Sequence, residues 1–330
     1  MKHNLKITII ILSMFIITQF IGLFIVNYYS PVKIIDAQVT NISAPDLPYG
    51  VEPPEIKEPR EFNQVLISII IAFIIAISLI FLLSKFNAVF FLKLWFFIVV
   101  AIALGIALNA IIPSIFPSLG YSVFISTLVS IPLAFIKIYR PNFYVHNLTE
   151  LFIYPGIATV FVPLLNLWTL VLLLILISIY DMWAVWHSGI MQKMAKFQMD
   201  KLNIFSGFLI PSMDKKTRNQ IRLIRQRIKQ AKTKKSKEKI KGNKIKINFA
   251  ILGGGDVIFP LIAAGVLLKT VGFKTLSIGL LPIASLFVII GATLGLISLL
   301  LLSEKKKFYP AMPFITLGIF AGLLAYNLLF

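Results

Sequence analysis

Asp181 and Asp256 are acids in places where this chain avoids acids. Of 330 residues, 58% are apolar, and the 13 Asp and Glu are outnumbered by 32 Lys and Arg, for a formal net charge of +19. Only Asp181, Asp256 and Glu150 fall within runs long and apolar enough to cross a bilayer. Glu150 lies two residues inside its run, where it can snorkel to the interface or favour a helix N-terminus. Asp181 and Asp256 have no such exit. An acid at membrane depth is costly and marks function. The usual structural compensation is a basic partner, and neither of their runs contains Lys or Arg. Two carboxyl groups brought together share one proton, because like charges about 3 Å apart do not both ionise. Such a pair can hydrolyse a peptide: the ionised member takes a proton from water while the protonated one polarises the scissile carbonyl. Paired acids at the midplane also carry protons or cations. The residue types therefore admit an aspartic hydrolase, a transporter or leak pathway, and a noncatalytic chaperone that binds helices. Cysteine is absent, which excludes disulfides, thiolate catalysis and Cys-based metal sites.

The surroundings of both aspartates favour chemistry over passive burial. Asp256 follows Gly253, Gly254 and Gly255, each of which weakens a helix by about 1 kcal/mol relative to Ala. Three consecutive glycines permit unusual dihedrals and close approach of another backbone, unlike the small-xxx-small spacing of helix packing. Tyr180 precedes Asp181 and brings a hydroxyl to the site. A third segment, Tyr309-Pro310-Ala311-Met312-Pro313, opens the last apolar run. Its prolines donate no backbone hydrogen bond, so the run starts irregularly and leaves carbonyls free, which is tolerated at depth where backbone lines a cavity.

These residues must be positioned by membrane spans, which need about 20 predominantly apolar residues each. Nine such runs occur, at residues 7–28, 65–83, 89–112, 121–138, 148–165, 167–186, 247–268, 276–302 and 308–330. The stretch 148–186 would be about 58 Å long as one helix, so Pro163 and Asn166 divide it. The first run follows Lys2 and Lys6 as in a signal peptide, but at about 22 residues it exceeds an h-region and no A-x-A site follows, so it reads as an anchor. With the N-terminus cytoplasmic, 27 Lys and Arg lie on the inner side and five on the outer, which satisfies the positive-inside rule. That topology puts the C-terminus outside. Helical rise then places Asp181 about 9 Å and Asp256 about 14 Å from the inner boundary.

The chain thus divides into spans one to six within residues 1–186, with an outer Pro- and acid-rich loop at 29–64; a basic cytoplasmic loop at 187–246; and spans seven to nine within 247–330. The outer loop is extended by its prolines. The inner loop carries 18 Lys and Arg against Asp200, Asp214 and Glu238. Ile221, Ile224 and Ile228 recur there at helical spacing among basic residues, describing an amphipathic helix for an anionic inner leaflet. Nucleic-acid binding is not expected, because almost no aromatic residues interleave with the charge after Phe208.

Tyr180-Asp181, Gly253-Gly254-Gly255-Asp256 and Pro310-Ala311-Met312 together resemble the YD, GxGD and PAL motifs of presenilin and signal peptide peptidase, and the whole chain resembles an archaeal member of those intramembrane aspartyl proteases. The resemblance implies a single all-α polytopic domain over residues 1–330, with nine transmembrane helices in a presenilin-like fold, in the cell membrane. It implies cleavage of transmembrane segments of other proteins, with Asp181 and Asp256 as catalytic dyad and no metal or cofactor. Tyr180, Gly253, Gly254 and Gly255 would support the site, and Pro310, Ala311 and Met312 would receive extended substrate backbone. Met312 stands where the family has Leu, a volume-conserving swap. The inward N-terminus agrees with presenilin, whereas signal peptide peptidase is inverted. Native substrate and oligomeric state have no signature in the chain.

Overall fold

The computed structural model describes residues 5–30, 32–35, 38–41, 45–54, 56, 58–86, 88–118, 120–189, 197–212, 223, 248–270, 277–278, 281–303 and 309–329. Among these, nine α-helices form: α1 (Leu5–Tyr28), α2 (Pro59–Lys85), α3 (Val89–Ile115), α4 (Ser122–Tyr139), α5 (Phe143–Phe161), α6 (Leu167–Trp183), α7 (Gly254–Thr270), α8 (Ile283–Leu302) and α9 (Met312–Leu329). Three antiparallel hairpins join them: β1 (Val32–Ile35) with β2 (Gln38–Asn41), β3 (Gly207–Ser212) with β4 (Asn248–Gly253), and β5 (Ser277–Ile278) with β6 (Leu281–Pro282). Among the described residues, eight spans are long and apolar enough to cross a membrane, counting α5 with the 3₁₀ turn Val162–Leu164 and α6 with the π-helical turn Ala184–Ser188. The remaining helix, α7, has 17 residues.

Helices begin where side chains satisfy the orphan donors of a first turn. Thr169 N–H donates to Asn166 Oδ1 at 2.8 Å while Asn166 N–H donates to Thr169 Oγ1 at 3.0 Å. This reciprocal cap and the turn at Pro163 divide α5 from α6 as expected. Asn142 Oδ1 accepts from Tyr144 N–H at 2.9 Å, starting α5 at Phe143, five residues before the expected boundary. Pro59 at the first position starts α2 inside the stretch expected to be outer loop.

The seventh span departs most from expectation. Residues 248–253 form β4, and only from Gly254 is the chain helical. An apolar run of this length does not distinguish strand from buried helix by periodicity. The partner decides: Gly207 to Ser212, from the stretch expected to be basic loop, pairs with it from Gly207↔Gly253 to Ser212↔Asn248. The helical depth estimate for Asp256 therefore does not hold, since only two helical residues precede it. Likewise α8 starts at Ile283, after a short hairpin, and α9 at Met312. The amphipathic segment 221–228 lies outside the described residues apart from Leu223.

The main core gathers Phe15 and Leu23 of α1, Leu174 of α6, Phe208 of β3, Leu261 of α7, Val288 of α8 and Ile315 of α9. By contrast α2 is peripheral and buries only Leu66. Facing each other between α8 and α9 are Gly291 and Gly295, and Gly318 and Gly322; a Cβ on any of the four would collide with the backbone opposite. Two GxxxG faces thus let these helices touch along their backbones, forming a hairpin whose connected end carries Met312.

Glu150 does not snorkel. It is 1% exposed, and its Oε1 accepts from Lys137 Nζ at 2.6 Å. The tight turn between the antiparallel α4 and α5 brings these two together, a pairing that hydropathy does not reveal.

Candidate active site

Three of the helices, α6, α7 and α9, pack on one another. Their chain directions bring the last turn of α6 to the same end of the bundle as the first turns of α7 and α9. Asp181 lies two residues before the end of α6, and Asp256 is the third residue of α7. Met312 is the first residue of α9.

Asp181 is buried, 8% exposed. Its Oδ2 accepts from the backbone N–H of Met312 at 3.0 Å, and the N–H of Ala311 faces the same carboxyl group. Donors at a helix start have no partner within the helix, so Asp181 supplies from α6 what α9 lacks. About one turn further along both helices, the hydroxyls of Ser178 and Thr316 are hydrogen-bonded at 2.8 Å. The two contacts join α6 and α9 at successive turns, one through the Asp181 side chain itself and one beside it. Sequence reasoning passed over Ser178 and Thr316; their spacing from Asp181 and Met312 was the available signal.

Asp256 rests against the end of β4. A Cβ on Gly253 would lie 3.1 Å from Asp256 Oδ2, and the Gly253 N–H faces that carboxyl group. Asp256 and Asp181 are near enough to interact electrostatically. Among the described residues no basic side chain forms an ion pair with either. The three glycines differ in what they do. Gly254 is buried, and a Cβ there would meet Ser206 Oγ at 2.8 Å and the Tyr154 hydroxyl at 2.9 Å. Gly255 is exposed, with the nearest contact to a Cβ being the Phe259 ring at 3.7 Å, an ordinary distance.

Pro310, Ala311 and Met312 are all buried at this site. Tyr180 is not: it is 40% exposed, with its ring centroid 6.4 Å from that of Trp183 on the outer face of α6. Two further polar groups were not singled out from the sequence. Gln19 of α1 is fully buried and donates to the Val257 carbonyl at 3.0 Å, in the first turn of α7. The buried Tyr154 hydroxyl faces Glu150, Ser206 and Asp256.

Fold and site together define a multi-pass integral membrane protein in which two acids from separate helices share one end of the bundle. Residues 34–330 match the family described as signal-peptide peptidase, presenilin aspartyl protease. The chain belongs to that family and is an intramembrane aspartic endopeptidase. Of the three activities that the residue types left open, membership selects proteolysis. Two solved structures of a presenilin family intramembrane aspartate protease, in space groups C222 and P2, share the fold, with TM-scores of 0.56 and 0.54. Each is 16% identical to this chain; the first alignment covers 98% of this chain and 99% of the other, the second 97% of each. No curated protein matches the chain.

Proposed function

We propose that this enzyme hydrolyses peptide bonds within transmembrane segments of other membrane proteins, with Asp181 and Asp256 as the two working acids. The observation that carries the reading is their placement at adjoining ends of α6 and α7, near enough to interact and without a basic partner among the described residues. The pair holds one proton between them. The ionised carboxylate takes a proton from water as the water oxygen bonds to the carbonyl carbon, and the protonated carboxyl gives its proton to the carbonyl oxygen. In the second half the proton taken from water passes to the amide nitrogen as the C–N bond breaks. A diol proton returns to the other carboxylate, and the pair again holds one proton.

The β3–β4 hairpin supports an extended substrate. Gly207 and Leu209 of β3 direct their backbone groups towards α5. By the alternation of antiparallel pairing, their register partners Gly253 and Ile251 direct theirs away from β3. That open edge of β4 runs into Asp256, and an unwound substrate segment adding there as a strand passes the two acids. Pro310, Ala311 and Met312 line the same end, and the substrate backbone runs between them and β4.

Orientation follows from charge. The N-terminus is cytoplasmic and the C-terminus outside, so the acids work in the cytoplasmic half of the membrane, and the Lys and Arg of the stretch 187–246 lie on the side of an anionic inner leaflet. An archaeal cell membrane is the setting that the sequence resemblance implies. The decisive experiment reconstitutes purified protein with a helical transmembrane substrate and compares wild type with Asp181→Ala and Asp256→Ala. Both variants are expected to lose cleavage; products formed at the wild-type rate by either would refute the dyad.

A further inference from the structure

The hairpin that leads into Asp256 is held from behind by side chains of a single helix. We propose that His146, Asn147 and Glu150 of α5 are positioning residues for the reaction, closing the outer edge of β3 so that β4 and Asp256 keep one register. The proposal rests on the reading of Asp256 as one of the working acids.

The outward backbone groups of β3 meet α5 side chains one after another. The Gly207 carbonyl accepts from His146 Nε2 at 2.8 Å, and the Gly207 N–H donates to Glu150 Oε1 at 3.4 Å. Two residues on, the Leu209 N–H donates to Asn147 Oδ1 at 3.0 Å while its carbonyl accepts from Asn147 Nδ2 at 2.9 Å. Asn147 thereby makes the pair of bonds that a neighbouring strand would make. The next outward residue is Pro211, which has no N–H to satisfy and is at home on a strand edge. β3 therefore offers no edge to a substrate, and only β4 does.

Lys137 orders this cap from the end of α4. Its ammonium lies 2.6 Å from Glu150 Oε1 and 3.1 Å from His146 Nδ1. With Nε2 donating to Gly207, Nδ1 is the acceptor, so one His tautomer serves both contacts. All four side chains are buried. A buried ion pair is weak ground for stability, since well-packed apolar residues often do as well, and its best-attested use is to set register. Register matters here because a slip of one residue turns every group on a strand to the opposite side. In β4 such a slip would turn the Gly253 N–H away from Asp256 and present a different substrate bond to the acids.

The test uses the full-length protein in proteoliposomes with a transmembrane-helix substrate. Asn147→Leu preserves approximate volume and removes both bonds to Leu209. We expect kcat to fall about tenfold or more with KM within about threefold, as suits loss of hydrogen bonds that align without binding. Cleavage should also spread to neighbouring bonds, and amide exchange at Leu209 should quicken about tenfold. Two double variants leave no unpaired buried charge and carry the test if Asn147→Leu does not fold. Lys137→Met/Glu150→Leu removes the acceptor for Gly207 N–H, whereas Lys137→Met/Glu150→Gln retains an oxygen there and should recover most of the lost kcat and the single cleavage position. Wild-type kcat and cleavage position in folded Asn147→Leu, or equal impairment of both double variants, would overturn the proposal. Failure of the underlying reading is distinguished by Asp256→Asn: cleavage at the wild-type rate there removes the dyad itself, whereas an inactive Asp256→Asn beside a fully active Asn147→Leu removes only the positioning role.

Discussion

The backbone N–H of Met312 donates to the carboxyl group of Asp181 across 131 residues of sequence. One side chain thus caps the start of α9 and stands at the candidate site, so its structural and chemical roles are separable by substitution. Asp181→Asn keeps an oxygen acceptor for Met312 and should change stability in detergent by under about 0.5 kcal/mol, while Asp181→Ala should cost about 1 kcal/mol as a lost cap. Both should reduce cleavage by about 10²- to 10⁴-fold. Thermal unfolding and product formation on the same samples separate the two roles, and a cleaving Asp181→Asn enzyme would leave Asp181 only the cap.

The adjacent glycines before Asp256 should respond oppositely to alanine. Gly254→Ala forces a methyl against Tyr154 and Ser206 and should destabilise by about 1–3 kcal/mol. Gly255→Ala meets only ordinary contacts and should be neutral or stabilise by up to about 1 kcal/mol through the unfolded state. Denaturation midpoints of the two proteins decide; equal losses would contradict the packing described.

Activity should follow a bell-shaped pH profile. At low pH both carboxyl groups are protonated and no base remains to take the water proton; at high pH both are ionised and no acid remains to polarise the carbonyl. The two limbs belong to the pair, not to either residue alone. Single-turnover cleavage against pH measures them, and a rate flat through the alkaline range would count against a shared proton.

Because the chain contains no cysteine, a single engineered thiol reports topology without background. Ser236→Cys should react with a membrane-impermeant maleimide only after the cytoplasmic side is opened. Labelling of intact cells from outside would reverse the proposed orientation.

Much of the candidate site was legible because a membrane makes acids conspicuous. Asp181 and Asp256 stood out by their cost in an apolar run, and the glycine and proline motifs by their unsuitability for helix interiors. Glu150 was misread for the same reason: near a span end it has a cheap exit to water, and only the fold of α4 against α5 supplies Lys137 instead. Residues 248–253 looked helical because an apolar run has no period that separates buried helix from buried strand. Ser178, Thr316 and Asn147 are ordinary polar residues in sequence, and their value lies in what faces them.

By itself, the sequence determined that this is a multi-pass membrane protein, how many apolar runs it has, and that Asp181 and Asp256 lie in runs holding no Lys or Arg. These are properties of composition and local pattern, set by the energy of moving each side chain out of water. The tertiary structure alone decided that the seventh apolar run begins as a strand, that Glu150 pairs with Lys137, and that Asp181 meets Met312. Each depends on a partner distant along the chain, and the energy that selects it exists only once the two segments are packed together.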